Sequence, residues 1–176
     1  MIILFTGNGK GKTTAALGQA MRVLGHKKSA LIVQFIKSPD WQSGEDKFLK
    51  EFNIPKKLFE IRKMGLGFVG IMGDKIPFNK HKKAAKQALK FFIKEKKNKK
   101  NFLIVLDEIN VAVSLRLLTV KEVISAIKDF PEEKILILTG RYAPKEFIDI
   151  ADIATEMKEL KHPFANGKTG KVTVEF

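Results

Sequence analysis

A glycine-rich loop near the start of the chain has the residues needed to hold a nucleotide polyphosphate. Its glycines allow the backbone to curl with N–H groups turned inward towards phosphate oxygens. Lys12 supplies a positive charge to the distal phosphates, and the Thr13 hydroxyl is placed to bind Mg²⁺. We predict that the nucleotide is bound by eight consecutive residues: Gly7, Asn8, Gly9, Lys10, Gly11, Lys12, Thr13 and Thr14.

The segments on either side of this loop are the ones that a phosphate-binding loop requires. Residues 2–5 form a continuous apolar run, typical of a strand buried on both faces. Residues 13–24 read as a helix whose N-terminal dipole favours an anion. The match to G-x-x-x-x-G-K-[ST] is incomplete because Thr6 stands where the pattern has glycine. A chance glycine–lysine turn is the less favoured alternative, since strand, loop and helix occur in the required order.

Two acidic residues follow another apolar run and point to a metal ion. Asp107 and Glu108 come directly after residues 103–106, and a hard cation beside phosphates prefers oxygen ligands. We therefore predict an Mg²⁺ (or Mn²⁺) site made by Thr13, Asp107 and Glu108. Arg141 follows the apolar run 135–138 in the same manner; it either reaches the nucleotide phosphates or pairs with a surface carboxylate.

The remaining pattern predicts the fold class. Apolar runs at 30–35, 102–106 and 135–138 alternate with helical segments, including 120–130 and 144–150. Continuous apolar strands separated by helices indicate an α/β fold. We expect a mostly parallel sheet covered by helices on both faces, similar to P-loop NTPases of the RecA-like type. No linker divides the 176 residues, so 1–176 is predicted to be a single P-loop nucleotide-binding domain.

Composition limits the classes of partner. The absence of cysteine excludes disulfides and thiolate metal sites. No apolar run has membrane-spanning length, and we expect a cytoplasmic protein without a membrane partner. The net charge of +14 suits nucleic acid, small anionic substrates or solubility equally. Residues 80–100 read as an amphipathic helix with a solvated lysine face but no base-stacking aromatics, so we expect no nucleic-acid partner.

Taken in order, the motifs resemble the ATP:corrinoid adenosyltransferases, of the phosphate-loop type found in bacterial cobalamin synthesis and salvage. The resemblance extends over nearly the whole chain. The matching segments are residues 7–14, Val33-Gln-Phe-Ile-Lys37, Trp41 with Gly44-Glu45, Gly65-Leu-Gly-Phe68, Val105-Leu-Asp-Glu108, Glu122-Val-Ile-Ser-Ala126, Leu138-Thr-Gly-Arg141, and Lys161-His162 with Phe164.

The resemblance implies an alkyl transfer. In that family the Co(I) of a reduced corrinoid attacks the 5′ carbon of ATP, the adenosyl group moves to cobalt, and triphosphate leaves. It also implies ATP and a corrinoid as substrates, Mg²⁺, an electron-donating flavoprotein partner and a homodimer. Whether the corrinoid is an early precursor or finished cobalamin stays open.

The resemblance further implies roles for individual residues. Lys12, Phe68 and Glu108 match catalytic positions, and Phe68 would lie against the corrin and help to displace its lower ligand. Judged by sequence alone, Phe68 also fits an ordinary core aromatic. Two departures bear on corrinoid specificity: Gly70 replaces an expected tryptophan, and the tail 167–176 lacks the usual Ala-Gln pair. Trp41 and His162 fit structural roles as well as functional ones.

Two other functions share the phosphate loop. A nucleic-acid-linked ATPase would match the loop, the acidic strand end and the basic composition, but it would need a second basic module or a base-stacking cluster. A small-molecule kinase would need a lid rich in arginine, whereas the chain contains four arginines in all: Arg22, Arg62, Arg116 and Arg141.

Overall fold

The computed structural model describes residues 1–71, 73–163, 167, 171, 173 and 174. The strands are β1 (Ile2–Thr6), β2 (Ala30–Gln34), β3 (Phe59–Lys63), β4 (Leu103–Asp107), β5 (Ile135–Thr139) and β6 (Ile153–Glu156). The helices are α1 (Lys12–Gly25), α2 (Gly44–Glu51), α3 (Phe78–Glu95), α4 (Ile109–Ser114), α5 (Val120–Ile127) and α6 (Lys145–Ile150).

The six strands form one sheet in the order β3-β2-β4-β5-β1-β6, and every neighbouring pair is parallel. On β1, for example, Leu4 lies opposite Leu138 of β5 and Ala154 of β6. The predicted α/β fold with a parallel sheet is confirmed. In such sheets ligands bind outside the carboxyl ends of the strands. Because the strands are parallel, the carboxyl ends of β1, β2, β4 and β5 lie at the same edge of the sheet.

Helices cover both faces of the sheet, and each face has its own core. Alternate strand residues such as Leu4, Leu106 and Leu138 pack with α3, α4, α5 and α6 on one face. The residues between them, such as Val105 and Ile137, pack with α1 on the other face. Because both faces are dry, the central strands contain continuous apolar runs. Each fully buried leucine or isoleucine side chain contributes about 1.5–3 kcal/mol to folding.

Four elements were not predicted from the sequence: the edge strands β3 and β6 and the short helices α2 and α4. Edge strand β6 is exposed along its whole length, and edge strand β3 contains Glu60 and Arg62. Neither has the apolar run of a central strand. Helix α2 begins with a capping box in which Ser43 and Asp46 bond each other's backbone, a signature present in the sequence. Among the described residues, no helix is long and apolar enough to cross a membrane.

The two predicted helical segments 80–100 and 120–130 are shorter than expected at their C-terminal ends. Buried Lys134 donates hydrogen bonds from Nζ to the carbonyl oxygens of Lys96 and Asn98, both at 2.8 Å. Buried Lys96 in turn donates to Ala126 O at 2.7 Å. These ammonium groups satisfy carbonyl oxygens just beyond the end of α3 and in the last turn of α5, where helical partners are missing. The lysine face of α3 is exposed, as predicted.

Candidate active site

Asp107, at the carboxyl end of β4, is the centre of the polar contacts at this edge of the sheet. Its fully buried carboxylate accepts hydrogen bonds at Oδ1 from Thr13 Oγ1 (2.9 Å) and Thr139 Oγ1 (2.8 Å). Gln34 Nε2 donates to Oδ2 at 2.9 Å, and Lys37 Nζ lies 4.0 Å from the same oxygen. The first helix and three neighbouring strands therefore meet at one carboxylate.

The backbone of the loop at residues 7–14 curls around the ammonium group of Lys12. Lys12 Nζ donates hydrogen bonds to Gly7 O at 2.8 Å and to Gly9 O at 2.6 Å. Burial lowers the pKa of Lys12, and the negative charge of Glu108 opposes that shift. Lys12 is 7% exposed, so its ammonium is held inside the curl, a position from which a lysine can donate to phosphate oxygens.

The chain beyond β6 supports the loop from outside. Gly9 N donates a hydrogen bond to Met157 O at 2.7 Å, so the prediction that this amide faces inward is wrong. A Cβ on Gly7 would overlap the Met157 carbonyl, and one on Gly9 would come within 2.8 Å of the Lys158 backbone. Glycine is therefore required at both positions by a close approach of backbone.

Glu108 lies between β4 and α4 as the N-cap residue of the helix and has a left-handed backbone conformation, with φ 62°. Its backbone N–H donates to Thr139 Oγ1 at 3.0 Å. Burial and the neighbouring Asp107 raise the pKa of Glu108 to about 7, while the charges of Lys12, Lys37 and Arg141 act against this rise. A carboxyl with a raised pKa next to another carboxylate is a common feature of functional sites.

The oxygen atoms around Asp107 and Glu108 fit a hard divalent cation. The Thr13 hydroxyl lies 2.9 Å from Asp107 Oδ1, and a cation would relieve the repulsion between the two carboxylates. Gln34 Oε1 is buried without a hydrogen-bond partner among the described residues. Within that part of the chain no three His, Cys, Asp or Glu side chains cluster around a metal position. A cation bound here would therefore need phosphate and water oxygens as further ligands.

A cavity of about 760 Å³ lies over the loop and the strand ends. Seven of the eight loop residues line it, from Asn8 to Thr14, together with Glu108 and Arg141. Gly7 and Asp107 are not among the residues that line it, and Asp107 lies behind the cavity wall in hydrogen-bond contact with Thr13. The structure thus brings the sequence-predicted nucleotide and metal residues together. His162 also lines this cavity, whereas Phe164 and most of the tail 167–176 lie outside the described residues.

A second cavity of about 430 Å³ lies beside the first and contains two aromatic side chains. Trp41 and Phe68 line it and meet edge to face, with ring centroids 5.7 Å apart and planes at 89°. They are 60% and 38% exposed, so neither is a core side chain. Gly70 replaces the expected tryptophan, but Trp41 supplies a second aromatic at this place.

The loop that carries Phe68 is fixed at both ends. Gly67 N donates to Ile36 O at 2.8 Å, and a Cβ on Gly65 would overlap the Ile36 carbonyl. At the other end Asp74 accepts hydrogen bonds from the Gly70 N–H at 2.9 Å and from buried His81 at 3.0 Å. Backbone N–H groups donating to Asp74, first that of Gly70, hold the pKa of this carboxyl below its usual value.

Residues 37–45 form the wall between the two cavities. Lys37 and the segment 42–45 line the first cavity, whereas Ser38, Asp40 and Trp41 line the second. Sequence reasoning assigned no role to Gln34, Lys37 or Thr139. Their positions after apolar strands were a signal, because the carboxyl ends of parallel strands meet at one edge of the sheet.

The fold and the arrangement of the site define an α/β protein of the P-loop NTPase-like, RecA-like class. Among solved structures, the chain is similar to the flagellar accessory protein FlaH from Methanocaldococcus jannaschii, with a TM-score of 0.53 and 16% sequence identity. That match covers 88% of this chain and 69% of FlaH. At this level of identity the likeness shows the fold alone.

Comparisons of sequence show the family. The family model described as "ATP:corrinoid adenosyltransferase BtuR/CobO/CobP" matches residues 1–176. The chain is 31% identical to the corrinoid adenosyltransferase of Escherichia coli (strain K12), covering 100% of this chain and 85% of that protein. It is 34% identical, with the same coverage, to corrinoid adenosyltransferase CobA of Salmonella typhimurium (strain LT2). The chain belongs to the ATP:corrinoid adenosyltransferase family and is an enzyme of that kind, with ATP and a corrinoid as substrates.

Proposed function

We propose that this enzyme transfers the 5′-deoxyadenosyl group of ATP to the Co(I) of a reduced corrinoid and releases inorganic triphosphate. One observation carries this proposal: a cavity lined by a phosphate-binding loop adjoins an aromatic cavity across the wall formed by residues 37–45. The first cavity suits a nucleotide and the second suits the flat, apolar face of a macrocycle. The two substrates would then meet at the wall.

In the proposed reaction one bond forms and one breaks at the same carbon. The electron pair of Co(I) forms the cobalt–carbon bond, and the carbon–oxygen bond to the triphosphate breaks with its electron pair on oxygen. The residues of the loop and Lys12 would hold the triphosphate while its negative charge grows. The whole triphosphate is then the leaving group, whereas in phosphoryl transfer the terminal phosphoryl group is the part that is transferred.

Thr13, Asp107 and Glu108 would hold Mg²⁺ in the proposed enzyme, and Mn²⁺ would fit the same oxygen ligands. When bound, the ion supplies a further positive charge to the triphosphate. Asp107 keeps Thr13 in place through the 2.9 Å hydrogen bond. Arg141, which also lines the nucleotide cavity, is proposed to contact the phosphates rather than a surface carboxylate.

Trp41 and Phe68 are proposed to form the surface against which the corrinoid lies. Their exposed rings offer an apolar contact that disfavours a coordinated base on the cobalt. A cobalt that lacks its lower ligand is more easily reduced to Co(I), so the aromatic pair would assist reduction. By family resemblance we further propose a cytoplasmic homodimer that receives electrons from a flavoprotein.

The test is an anaerobic assay with chemically reduced cobalamin and MgATP. We expect the spectral change of cobalt–carbon bond formation, together with inorganic triphosphate in a 1:1 ratio to alkylated corrinoid by ion-exchange chromatography. The Lys12→Ala variant serves as the negative control for the phosphate loop. Stoichiometric ADP would contradict alkyl transfer and support a kinase or ATPase, and ADP formation stimulated by DNA or RNA would support the nucleic-acid-linked ATPase.

A further inference from the structure

Lys37 occupies a distinctive place among the charged residues of the site. It lines the nucleotide cavity, and the next residue, Ser38, lines the aromatic cavity. Lys12 lies at the far side of the curl with its ammonium on the Gly7 and Gly9 carbonyls. Lys10, Lys12 and Lys47 also line the nucleotide cavity, but Lys37 is the lysine directly followed in the chain by a residue that lines the aromatic cavity.

The backbone just before Lys37, at residues 34–36, is held by hydrogen bonds from both sides. Phe35 N donates to Asp107 O at 3.0 Å, which ties the preceding segment to β4. On the other side Met64 N donates to Gln34 O at 2.9 Å and Gly67 N donates to Ile36 O at 2.8 Å. The backbone that leads into Lys37 is thus bound to the loop that carries Phe68.

Among the described residues, the ammonium of Lys37 has an ion pair with Asp107 and no hydrogen bond. It lies 4.0 Å from Asp107 Oδ2, beyond hydrogen-bond distance, and that oxygen already accepts a hydrogen bond from Gln34 Nε2 at 2.9 Å. The Lys37 side chain is 35% exposed, whereas Asp107 is fully buried. A loose ion pair at the edge of a cavity leaves the cation able to turn towards a bound anion.

We propose that Lys37 is a catalytic residue that contacts the triphosphate oxygen attached to the transferred carbon. This inference rests on the proposed function, because the carbon–oxygen bond that breaks must lie where the two substrates meet. That place is the wall formed by residues 37–45. As the bond breaks, its electron pair stays on the oxygen, and the positive charge of Lys37 stabilises the added negative charge.

A cation that acts mainly on the departing oxygen stabilises the transition state more than the bound substrate. Its loss should therefore lower kcat more than it weakens ATP binding. Charge-assisted hydrogen bonds of this type correspond to a loss of roughly tenfold to a hundredfold in rate. A lysine that only neutralises Asp107 would instead change the Mg²⁺ dependence.

The experiment compares Lys37→Met and Lys37→Arg with wild type, and uses Lys50→Met as a control that removes one positive charge from exposed α2. Alkyl transfer is measured with pre-reduced cobalamin at saturating MgATP, and ATP binding is measured by calorimetry. We expect Lys37→Met to lose about tenfold to a hundredfold in kcat, with ATP affinity within about threefold of wild type. Lys37→Arg should recover part of kcat, and Lys50→Met should match wild type.

Two results would overturn the role of Lys37 while leaving the proposed function intact. One is a folded Lys37→Met enzyme whose kcat stays within about twofold of wild type. The other is a loss of kcat that raised Mg²⁺ fully restores, since that would place the effect on Asp107. A wild-type enzyme that releases no triphosphate with reduced cobalamin would instead reject the proposed function itself.

Discussion

Trp41 and Phe68 are in edge-to-face contact, with ring centroids 5.7 Å apart, although they come from different segments of the chain. The contact connects the wall between the cavities to the loop 65–68. Such aromatic pairs contribute about 0.5–1.5 kcal/mol beyond the area that they bury. Each ring therefore fixes the orientation of the other on the surface proposed for the corrinoid.

Substitution of either ring by alanine should impair the reaction that starts from Co(II) and a weak reductant. In Trp41→Ala and Phe68→Ala we expect ATP affinity to be unchanged and the reaction with pre-reduced Co(I) to be largely retained. In the reaction that starts from Co(II), the double variant should lose less activity than the sum of the two single losses, because the rings act as a pair. Activity is followed by the spectrum of the alkylated corrinoid.

The control for this pair is Phe48→Ala, which removes an exposed aromatic from α2. It should leave both reactions unchanged. Equal activity of the Phe68→Ala enzyme in the Co(I) and Co(II) reactions, with normal thermal stability, would show that the ring serves only in packing.

Removal of the Lys12 side chain should weaken MgATP binding by about tenfold to a hundredfold, as expected for loss of a charge-assisted contact. The variant is Lys12→Ala, and calorimetry measures the dissociation constant. Lys121→Ala, at an exposed position on α5, is the matched control for the loss of charge. Unchanged ATP affinity in a folded Lys12→Ala protein would refute the assignment of the phosphate loop.

The raised pKa of Glu108 predicts a pH dependence of stability. Burial raises this pKa from 4.5 to about 7, so between these values the folded protein keeps a proton that the unfolded chain has released. The free energy of unfolding therefore falls as pH rises through this interval and is constant above it. Glu108→Gln should be more stable than wild type at pH 8 by about 1–2 kcal/mol, and equally stable near pH 4.

Thermal unfolding at several pH values measures this difference, which corresponds to a shift of a few degrees in Tm for a chain of this size. Glu51→Gln, at an exposed position in α2, should show no such pH-dependent gain. Parallel stability curves for wild type and Glu108→Gln would mean that Glu108 releases its proton at an ordinary pH.

A methyl group at Gly65 should displace the loop that carries Phe68, because the added Cβ would overlap the Ile36 backbone. We expect Gly65→Ala to lower the free energy of unfolding by about 1–3 kcal/mol, as for other overpacked sites. The substitution should lower the rate of the corrinoid reaction more than it lowers the affinity for ATP. Gly18→Ala is the control: nothing lies within 4 Å of its added Cβ in α1, and it should stabilise the helix by about 0.5–1 kcal/mol. An unaltered Gly65→Ala enzyme would contradict the close contact.

The central part of the fold was predictable because its physical causes are local. Continuous apolar runs such as 103–106 can be buried on both faces, and glycines in a loop before a helix favour phosphate. Edge strands β3 and β6 were missed because solvent on one side permits charged residues such as Glu60 and Arg62. These segments are strands because they pair with β2 and β1, and that pairing cannot be recognised from the local sequence.

The parts of the candidate site that could be predicted are those whose functional residues are adjacent in the sequence, as in residues 7–14 and in Asp107 with Glu108. The contacts of Gln34 and Thr139 with Asp107 depend on the order of strands in the sheet, which places β2 and β5 on either side of β4. The pairing of Trp41 with Phe68 likewise depends on how two loops pack. Single polar or aromatic residues at such positions resemble ordinary strand ends and loop anchors.

The phosphate loop is held from outside by the chain that follows β6: Gly9 N donates a hydrogen bond to Met157 O, and Met157 N donates to Thr6 O. A loop fixed in this way has little conformational entropy left to lose on binding. More of the contact energy with the triphosphate is then available as affinity. This preorganisation comes from the segment directly after the exposed edge strand β6, which supports the nucleotide site without contributing a strand-end ligand.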